Sequence, residues 1–402
     1  MKKAVVYIYN SFKDPLFQSN MLLYLLDANK ELDYSFALIT YEQSEFAISK
    51  AEKKELKKEL KERNIYWIPL RWHSGKLKLI KKTWDALYGL LIILKYRLLG
   101  YNRIVSLGTV SGSFAYIYSV LFRMRHYLYQ YEPHSEFLKD MGIWSERSLS
   151  FQVLNWLEKR SGLYTEVIAT GTIHMMNRLH KMGSKAQVFK IPSCVNDQLF
   201  SFSKENRSQI RESLQIVDRK VLIYVGKFGG IYFDQEVFKL CKSILERDPT
   251  FFFLFLTPND QDTIKSNFKQ VGISEKNYYV SLVPYNEVYR YISASDIGLV
   301  SVPPLPSQKF RSPIKVGEYL CCGIPYIVCK GVSEDDEYAK KEGVGVVLDN
   351  FEEVNIEKQF VEIEDLMKTD SRILRQKCRS AGLQYRGFSK LRFVSLNAFK
   401  SL

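Results

Sequence analysis

A chain of 402 residues, 46% hydrophobic and 25% charged, is too long for one ordinary core and has the balance of a folded protein of two domains rather than a disordered or fibrous one. Its net charge of +14 is concentrated in residues 1–200, where 29 Lys and Arg stand against 18 Asp and Glu, a net +11. A basic half of that size meets an anionic membrane, a nucleic acid or a phosphorylated substrate, and charge alone does not choose among them.

The opening MKKAVVYIYN reads as a first strand, its apolar run being too short for a secretory segment. Short β-branched or aromatic runs then alternate with amphipathic ones: a helix over Pro15–Asn29, SFALITYE, a charged helix over Ala51–Arg63, IYWIPL, and an apolar, basic helix near Trp84–Leu99. The uninterrupted apolar stretch in that helix, Ala86 to Leu94, is half of the roughly 18 residues a membrane span needs, so none is expected. RIVSLG, a helix over Gly112–Arg123, YLYQYEP, a long helical region, EVIATG, a further helix and QVFKIPSCVNDQLF complete a first series. A second begins at KVLIYVGKFGG and runs through a helix at Gln235–Arg247, FFFLFLTP, YYVSLVP, a helix at Asn286–Ala294, DIGLVSVPP, SPIKVGEYLCCGIPYIV and the strand-like YIVCKG. This βαβα order predicts two Rossmann-like halves with parallel sheets, a boundary near Pro192–Ser203, and ligands at the carboxyl ends of the strands. Six cysteines without C-x-x-C spacing are expected as buried thiols in a reducing, bacterial-type cytoplasm.

In SPIKVGEYLCCGIPYIV, Ser312 fits an N-cap, Pro313 the first helical residue, and Gly323 and Pro325 the stop. Ser312, Lys315 and Glu318 recur every third residue and so share a face near a helix N-terminus, where free N–H groups favour anions. A carboxylate there accepts from two vicinal hydroxyls, as a ribose diol requires; the structural alternative is a Lys–Glu surface pair. Lys227 lies in a loop with Gly226, Gly229 and Gly230 after a strand, where backbone can approach a phosphate, although the spacing is not that of a P-loop.

YEPHSEFLKDMGIW places Glu132, His134, Ser135 and Glu136 after another strand, which makes His134 and Glu136 candidates for contact with a sugar or acceptor hydroxyl; the alternative is a turn whose His caps a helix. His73, His126, His174 and His180 have no comparable setting and are expected to be structural or superficial. Asp260–Asp262 matches D-x-D but reads as a helix cap, and SEDDEYAKKEG from Ser333 as a solvated helix start. No cluster has metal-ligand spacing, so neither metal nor cofactor is expected. Arg71–Arg103 carries eight Lys and Arg with one acid, Asp85; its helix is expected to bury Leu90, Leu91, Ile93 and Leu94 against the sheet and to lay a basic flank on anionic lipid.

Several of these stretches together resemble family 4 glycosyltransferases. SPIKVGEYLCCGIPYIV is similar to the family's K-x-x-E-Y-L-x-x-G-x-P segment, KIPSCVNDQLF to I-P-N-G-V-D-x-x-x-F with Asn196 where Asp is usual, and YVGKFGGIYFDQEV to the opening of the second domain. YNEVYRYISASDIGLVSV and FSKLRFVSLNAFKSL resemble the segment before the donor helix and the terminal helix. The resemblance implies a GT-B fold: residues 1–197 as a Rossmann-like acceptor-binding domain, 198–386 as the nucleotide-sugar domain facing it across a cleft, and 387–402 as a helix crossing back. It also implies a retaining, metal-independent transferase that moves a sugar from a nucleotide-diphosphate donor to a glycan or lipid-linked acceptor in surface polysaccharide synthesis. Glu318 would hold the ribose, and Gly226, Lys227, Gly229, Ser312 and Lys315 the diphosphate. Phe310 stands where the family's E-x7-E has its first glutamate. A cytoplasmic protein peripheral to an anionic membrane is expected, without nucleic acid as partner. The rivals are a nucleotide-sugar 2-epimerase, which asks for more acid/base residues, and a non-catalytic membrane- or RNA-binding protein, which for RNA asks for exposed stacking aromatics.

Overall fold

The valine-, tyrosine- and phenylalanine-rich runs form strands covered on both faces, as parallel sheets require. The computed structural model describes residues 1–73 and 78–402; residues 74–77, part of the basic Arg71–Arg103 segment, lie outside the described residues. Contacts divide the chain into Met1–Ile191 with Leu391–Leu402, and Pro192–Lys390.

The first unit holds β1 (Lys2–Ile8), β2 (Tyr34–Glu42), β3 (Ile65–Arg71), β4 (Arg103–Leu107), β5 (Arg125–Gln130), β6 (Val167–Thr170) and β7 (Gln187–Lys190). They form one sheet in the order β3-β2-β1-β4-β5-β6-β7, with every pair parallel. The helix Phe388–Ser401 brings Phe399 onto this sheet's aromatic residues: Tyr34 donates to the Phe399 carbonyl at 2.8 Å, and the Phe399 ring lies edge-on to Tyr127. Arg392 pairs with Asp27 at 2.5 Å.

The second unit holds β8 (Lys220–Val225), β9 (Phe251–Leu256), β10 (Tyr278–Ser281), β11 (Ile297–Leu299), β12 (Tyr326–Cys329) and β13 (Gly345–Leu348), in the order β10-β9-β8-β11-β12-β13 and again parallel throughout. Both sheets reverse direction of growth at one point, between β1 and β4 and between β8 and β11. Crevices at such switch points, outside the carboxyl ends of the strands, are where α/β sheets take ligands. All six cysteines are free and buried.

The helix of SPIKVGEYLCCG is shorter and later than its sequence suggests. It spans Ile314–Cys321, its N-cap is Pro313, and no side chain caps it. Ser312 is occupied elsewhere: its Oγ accepts from the Ser193 N–H at 3.1 Å and from Arg386. Tyr319 secures the helix to the sheet, because its hydroxyl accepts from the Val225 N–H at 3.2 Å and donates to the Leu299 carbonyl at 3.1 Å. One side chain thereby ties the ends of β8 and β11 together at the switch point. Gly298 makes room for it, since a Cβ there would lie 2.4 Å from Tyr319 Cδ2. Gly298→Ala is expected to destabilise the second unit by about 1–3 kcal/mol through overpacking, read as a lower denaturant midpoint; an unchanged midpoint would show that Tyr319 can yield.

Candidate functional site

At the β8–β11 switch point three pieces of chain meet. The first is the loop leaving β8. Gly229 and Gly230 turn it in the left-handed region, at φ +73° and +65°, which side chains rarely adopt. Phe228 is buried beneath the loop against Phe238 and Phe255, and its N–H donates to Asn259 Oδ1 at 3.0 Å. Tyr224 donates to the Lys227 carbonyl, and a Cβ on Gly226 would lie 3.0 Å from that tyrosine's oxygen. The anchors on either side leave the Lys227 side chain exposed.

The second piece is the helix Ile314–Cys321. Lys315 Nζ donates to Glu318 Oε2 at 2.7 Å. This is the i,i+3 pair that spacing allows, but it is no surface pair: Glu318 is 0% exposed and Lys315 25%. Glu318 Oε1 is buried without a hydrogen-bond partner. Burying an acceptor unpaired costs about 1–3 kcal/mol, so a native site that keeps one invites a ligand hydroxyl. Tyr285 is the third piece. The residue is 42% exposed, while its hydroxyl lies by Glu318, Cys194 and Cys322, where burial first, the carboxylate's charge second and a hydrogen bond to that carboxylate raise its pKa. No sequence signal singles Tyr285 out. Phe310, at the place of the missing glutamate, is buried with the Lys309 ammonium 5.2 Å from its ring centre.

In the first unit, the carboxyl end of β5 carries a polar group. His134 Nδ1 lies 3.0 Å from Glu132 Oε1, and His134 opens the helix His134–Asp140 without capping it. Glu136 is already engaged: Arg178 takes both its oxygens, at 3.0 and 2.5 Å. That fork fixes Glu136 beside His134 and leaves each of its oxygens a further lone pair for a hydroxyl. Beneath them Glu158, buried on the helix Leu149–Tyr164, accepts from the Ser135 N–H at 3.0 Å and from its hydroxyl; burial lifts its carboxyl to about 7.

Two readings of the sequence are corrected here. His73 has a partner after all: its Nδ1 is 2.5 Å from Asp85 Oδ1, and Tyr9, just past β1, donates to Asp85 Oδ2 at 2.7 Å. His73 follows β3, so this pair too stands at the carboxyl edge of the first sheet. An imidazole held through Nδ1 by a carboxylate presents Nε2 as a proton acceptor. SEDDEYAKKEG is not a solvated start: Asp335 is fully buried and bonds Arg386 at 2.5 Å. That carboxyl is pushed up by burial against the opposing pull of the arginine. Asp260, by contrast, caps its helix through the Thr263 N–H at 2.9 Å. Among the described residues no three His, Cys, Asp or Glu side chains gather as a metal site would need.

No family model and no curated protein sequence matches this chain. Solved structures do resemble it over its whole length. HepE from Anabaena, solved with UDP, has a TM-score of 0.71 at 13% identity, covering 100% of both chains. Sucrose-phosphate synthase from Thermosynechococcus elongatus gives 0.72 at 13%, covering 100% of this chain and 98% of that one. WaaG, a glycosyltransferase involved in lipopolysaccharide biosynthesis, gives 0.65 at 13% with 98% of each chain covered. At such identities the likeness is one of fold, and the fold is that of GT-B glycosyltransferases.

Proposed function

We propose that this chain is a retaining glycosyltransferase of the family 4 kind that moves a sugar from a nucleotide-diphosphate donor to a hydroxyl of a glycan or lipid-linked glycan in surface polysaccharide synthesis. The observation that carries the reading is Glu318: a wholly buried carboxylate with Oε2 on Lys315, Oε1 outside hydrogen-bond geometry and the Tyr285 hydroxyl beside it, on a helix pinned to the switch-point strands by Tyr319. In this reading Oε1 and Oε2 accept from the ribose diol. Lys315, Lys227 and the backbone around Gly226, Gly229 and Ser312 face the diphosphate, so that fixed positive charge stands where negative charge develops as the sugar departs. A bond forms from the acceptor oxygen to the anomeric carbon, the bond from that carbon to the diphosphate oxygen breaks, and the leaving diphosphate takes the acceptor proton. The protein supplies the electrostatics without a metal.

His134, steadied by Glu132 and by the Glu136–Arg178 fork, lines the sugar or acceptor side. Support of a coarser kind comes from the fold, since HepE of the same architecture has been solved with UDP-glucose. The test is a panel of UDP-, GDP- and ADP-sugars scored by thermal shift. One class of donor is expected to raise the melting temperature, and Lys227→Ala is expected to weaken that donor about tenfold by removing one charge-assisted contact. If no donor stabilises the chain, the reading fails.

A further inference from the structure

The helix Lys78–Leu98 is built inside out. Asp85, Gly89 and Ile93, spaced four apart, face the sheet and are buried, and the glycine is what lets the helix approach: a Cβ at Gly89 would lie 3.0 Å from the Tyr41 hydroxyl and 3.1 Å from the Tyr7 ring. The opposite stripe, Trp84, Leu87, Leu91, Leu94 and Leu98, points outward, with Trp84 62%, Leu91 61% and Leu98 80% exposed. Two of the leucines expected in the core, Leu91 and Leu94, are therefore on the surface. Single exposed apolar residues are ordinary; a continuous row at helical spacing is not.

The row does not stop at this helix. Arg97 Nε donates to the Phe122 carbonyl at 3.0 Å and Tyr118 to the Ala86 carbonyl at 2.8 Å, which sets the helix Thr109–Phe122 alongside with Val120 and Leu121 exposed. The helix Leu149–Tyr164 packs on that one in turn and exposes Val153 and Trp156, with the Arg160 guanidinium 5.7 Å from the Trp156 ring centre. The three helices contain two acids, Asp85 and Glu158, and both are buried. Every exposed charge on them, Lys82, Lys95, Lys159 and Arg160 among the described side chains, is positive.

We infer that this three-helix face of the first unit docks on an anionic lipid bilayer, the leucines and tryptophans entering the headgroup boundary and the lysines and arginines meeting lipid phosphates. Apolar side chains with tryptophan, ringed by cations and free of exposed acid, are the composition of an interfacial surface. A second copy of the chain fits it less well, because two such faces would press like charges together with no acid to answer them. A nucleic acid would satisfy the cations but leave the leucine row against water. The inference deepens the proposed presentation of a lipid-linked acceptor yet does not need it: a chain that binds vesicles and no nucleotide sugar would overturn the enzyme reading and leave this one standing.

The experiment is flotation of the full chain with phosphatidylcholine vesicles, with and without phosphatidylglycerol, and quenching of its tryptophans by doxyl-labelled lipid. Binding to the anionic vesicles, weakening with salt, is expected. Quenching is expected to fall in the Trp84→Phe, Trp156→Phe double variant. Lys95→Gln, Lys159→Gln and Arg160→Gln together are expected to lower partitioning about a hundredfold, at a cost per cation typical of surface electrostatics, and Leu91→Ser with Leu98→Ser to lower it about tenfold. Thermal melts confirm that the variants fold, and the quenching of the unaltered chain decides should any of them not. Absence of binding to anionic vesicles, full binding by both sets of variants, or a dimer that Leu91→Ser dissolves would each overturn the inference.

Discussion

Glu318→Gln is expected to abolish most of the thermal shift that a nucleotide-sugar donor gives the unaltered chain, and to slow transfer from that donor, while the free protein melts nearly as before. The substitution keeps the shape of the side chain and removes its charge. Hydrogen bonds to a charged acceptor contribute about 1.5–3 kcal/mol each, so replacing a carboxylate that holds two ribose hydroxyls with an amide is worth about ten- to a hundredfold in donor affinity. The free protein should tolerate it, because the Tyr285 hydroxyl beside Glu318 can donate to an amide oxygen as it does to a carboxylate and Lys315 is exposed enough to turn to water. Lys315→Met is the companion measurement: it removes a phosphate-facing cation and leaves the buried carboxylate alone, so it should both weaken the donor and lower the melting temperature. A donor that stabilises the chain and its Glu318→Gln variant equally would remove Glu318 from the site and leave the glycosyltransferase reading to stand on its other residues.

The sheets were legible because parallel strands buried on both faces leave uninterrupted apolar runs such as FFFLFL, and the crossover helices between them leave periodic ones. The Lys315–Glu318 pair was legible for a related reason: three residues apart on a helix is a statement about space as well as sequence. The pairs that escaped are those whose partner comes from a distant segment. Asp85 is oriented by Tyr9, 76 positions away, and Asp335 is paired with Arg386, 51 positions on; in sequence Asp335 sits among charged neighbours and looks solvated, and nothing beside Asp85 points to its partner. The outward leucines of the helix Lys78–Leu98 were missed because that helix has two stripes, and the pattern alone does not say which one meets the sheet. Packing decides it: the tyrosines beneath accept only the side that carries Gly89. The N-cap at Ser312 failed by competition, its hydroxyl being taken by Arg386 and the Ser193 N–H.

Acid should affect the first unit through two buried groups that pull in opposite directions, and Glu158→Gln should expose the difference. His126 is sealed between Ser106 Oγ, 2.7 Å from Nε2, and Thr165 Oγ1, 3.1 Å from Nδ1, and burial lowers it from 6.5 to about 3. Below pH 6.5 the unfolded chain binds that proton and the folded one does not, so stability is lost as pH falls, by about 1.4 kcal/mol per unit. Glu158 behaves the other way. Burial, only partly offset by Ser135, raises it from 4.5 to about 7, so the folded chain keeps a proton that the unfolded chain releases; that stability is present below pH 4.5 and lost as pH rises to 7. Between pH 4.5 and 6.5 the two slopes nearly cancel, and below 4.5 His126 acts alone. Removing the Glu158 titration should therefore make stability fall from pH 6.5 downward, the variant losing about 3 kcal/mol relative to the unaltered chain between pH 7 and 4.5. Urea unfolding of both chains across that range measures it, and carboxylates elsewhere cancel in the comparison. Parallel curves would mean that Glu158 is ionised in the folded protein, with the hydrogen bonds from Ser135 outweighing its burial.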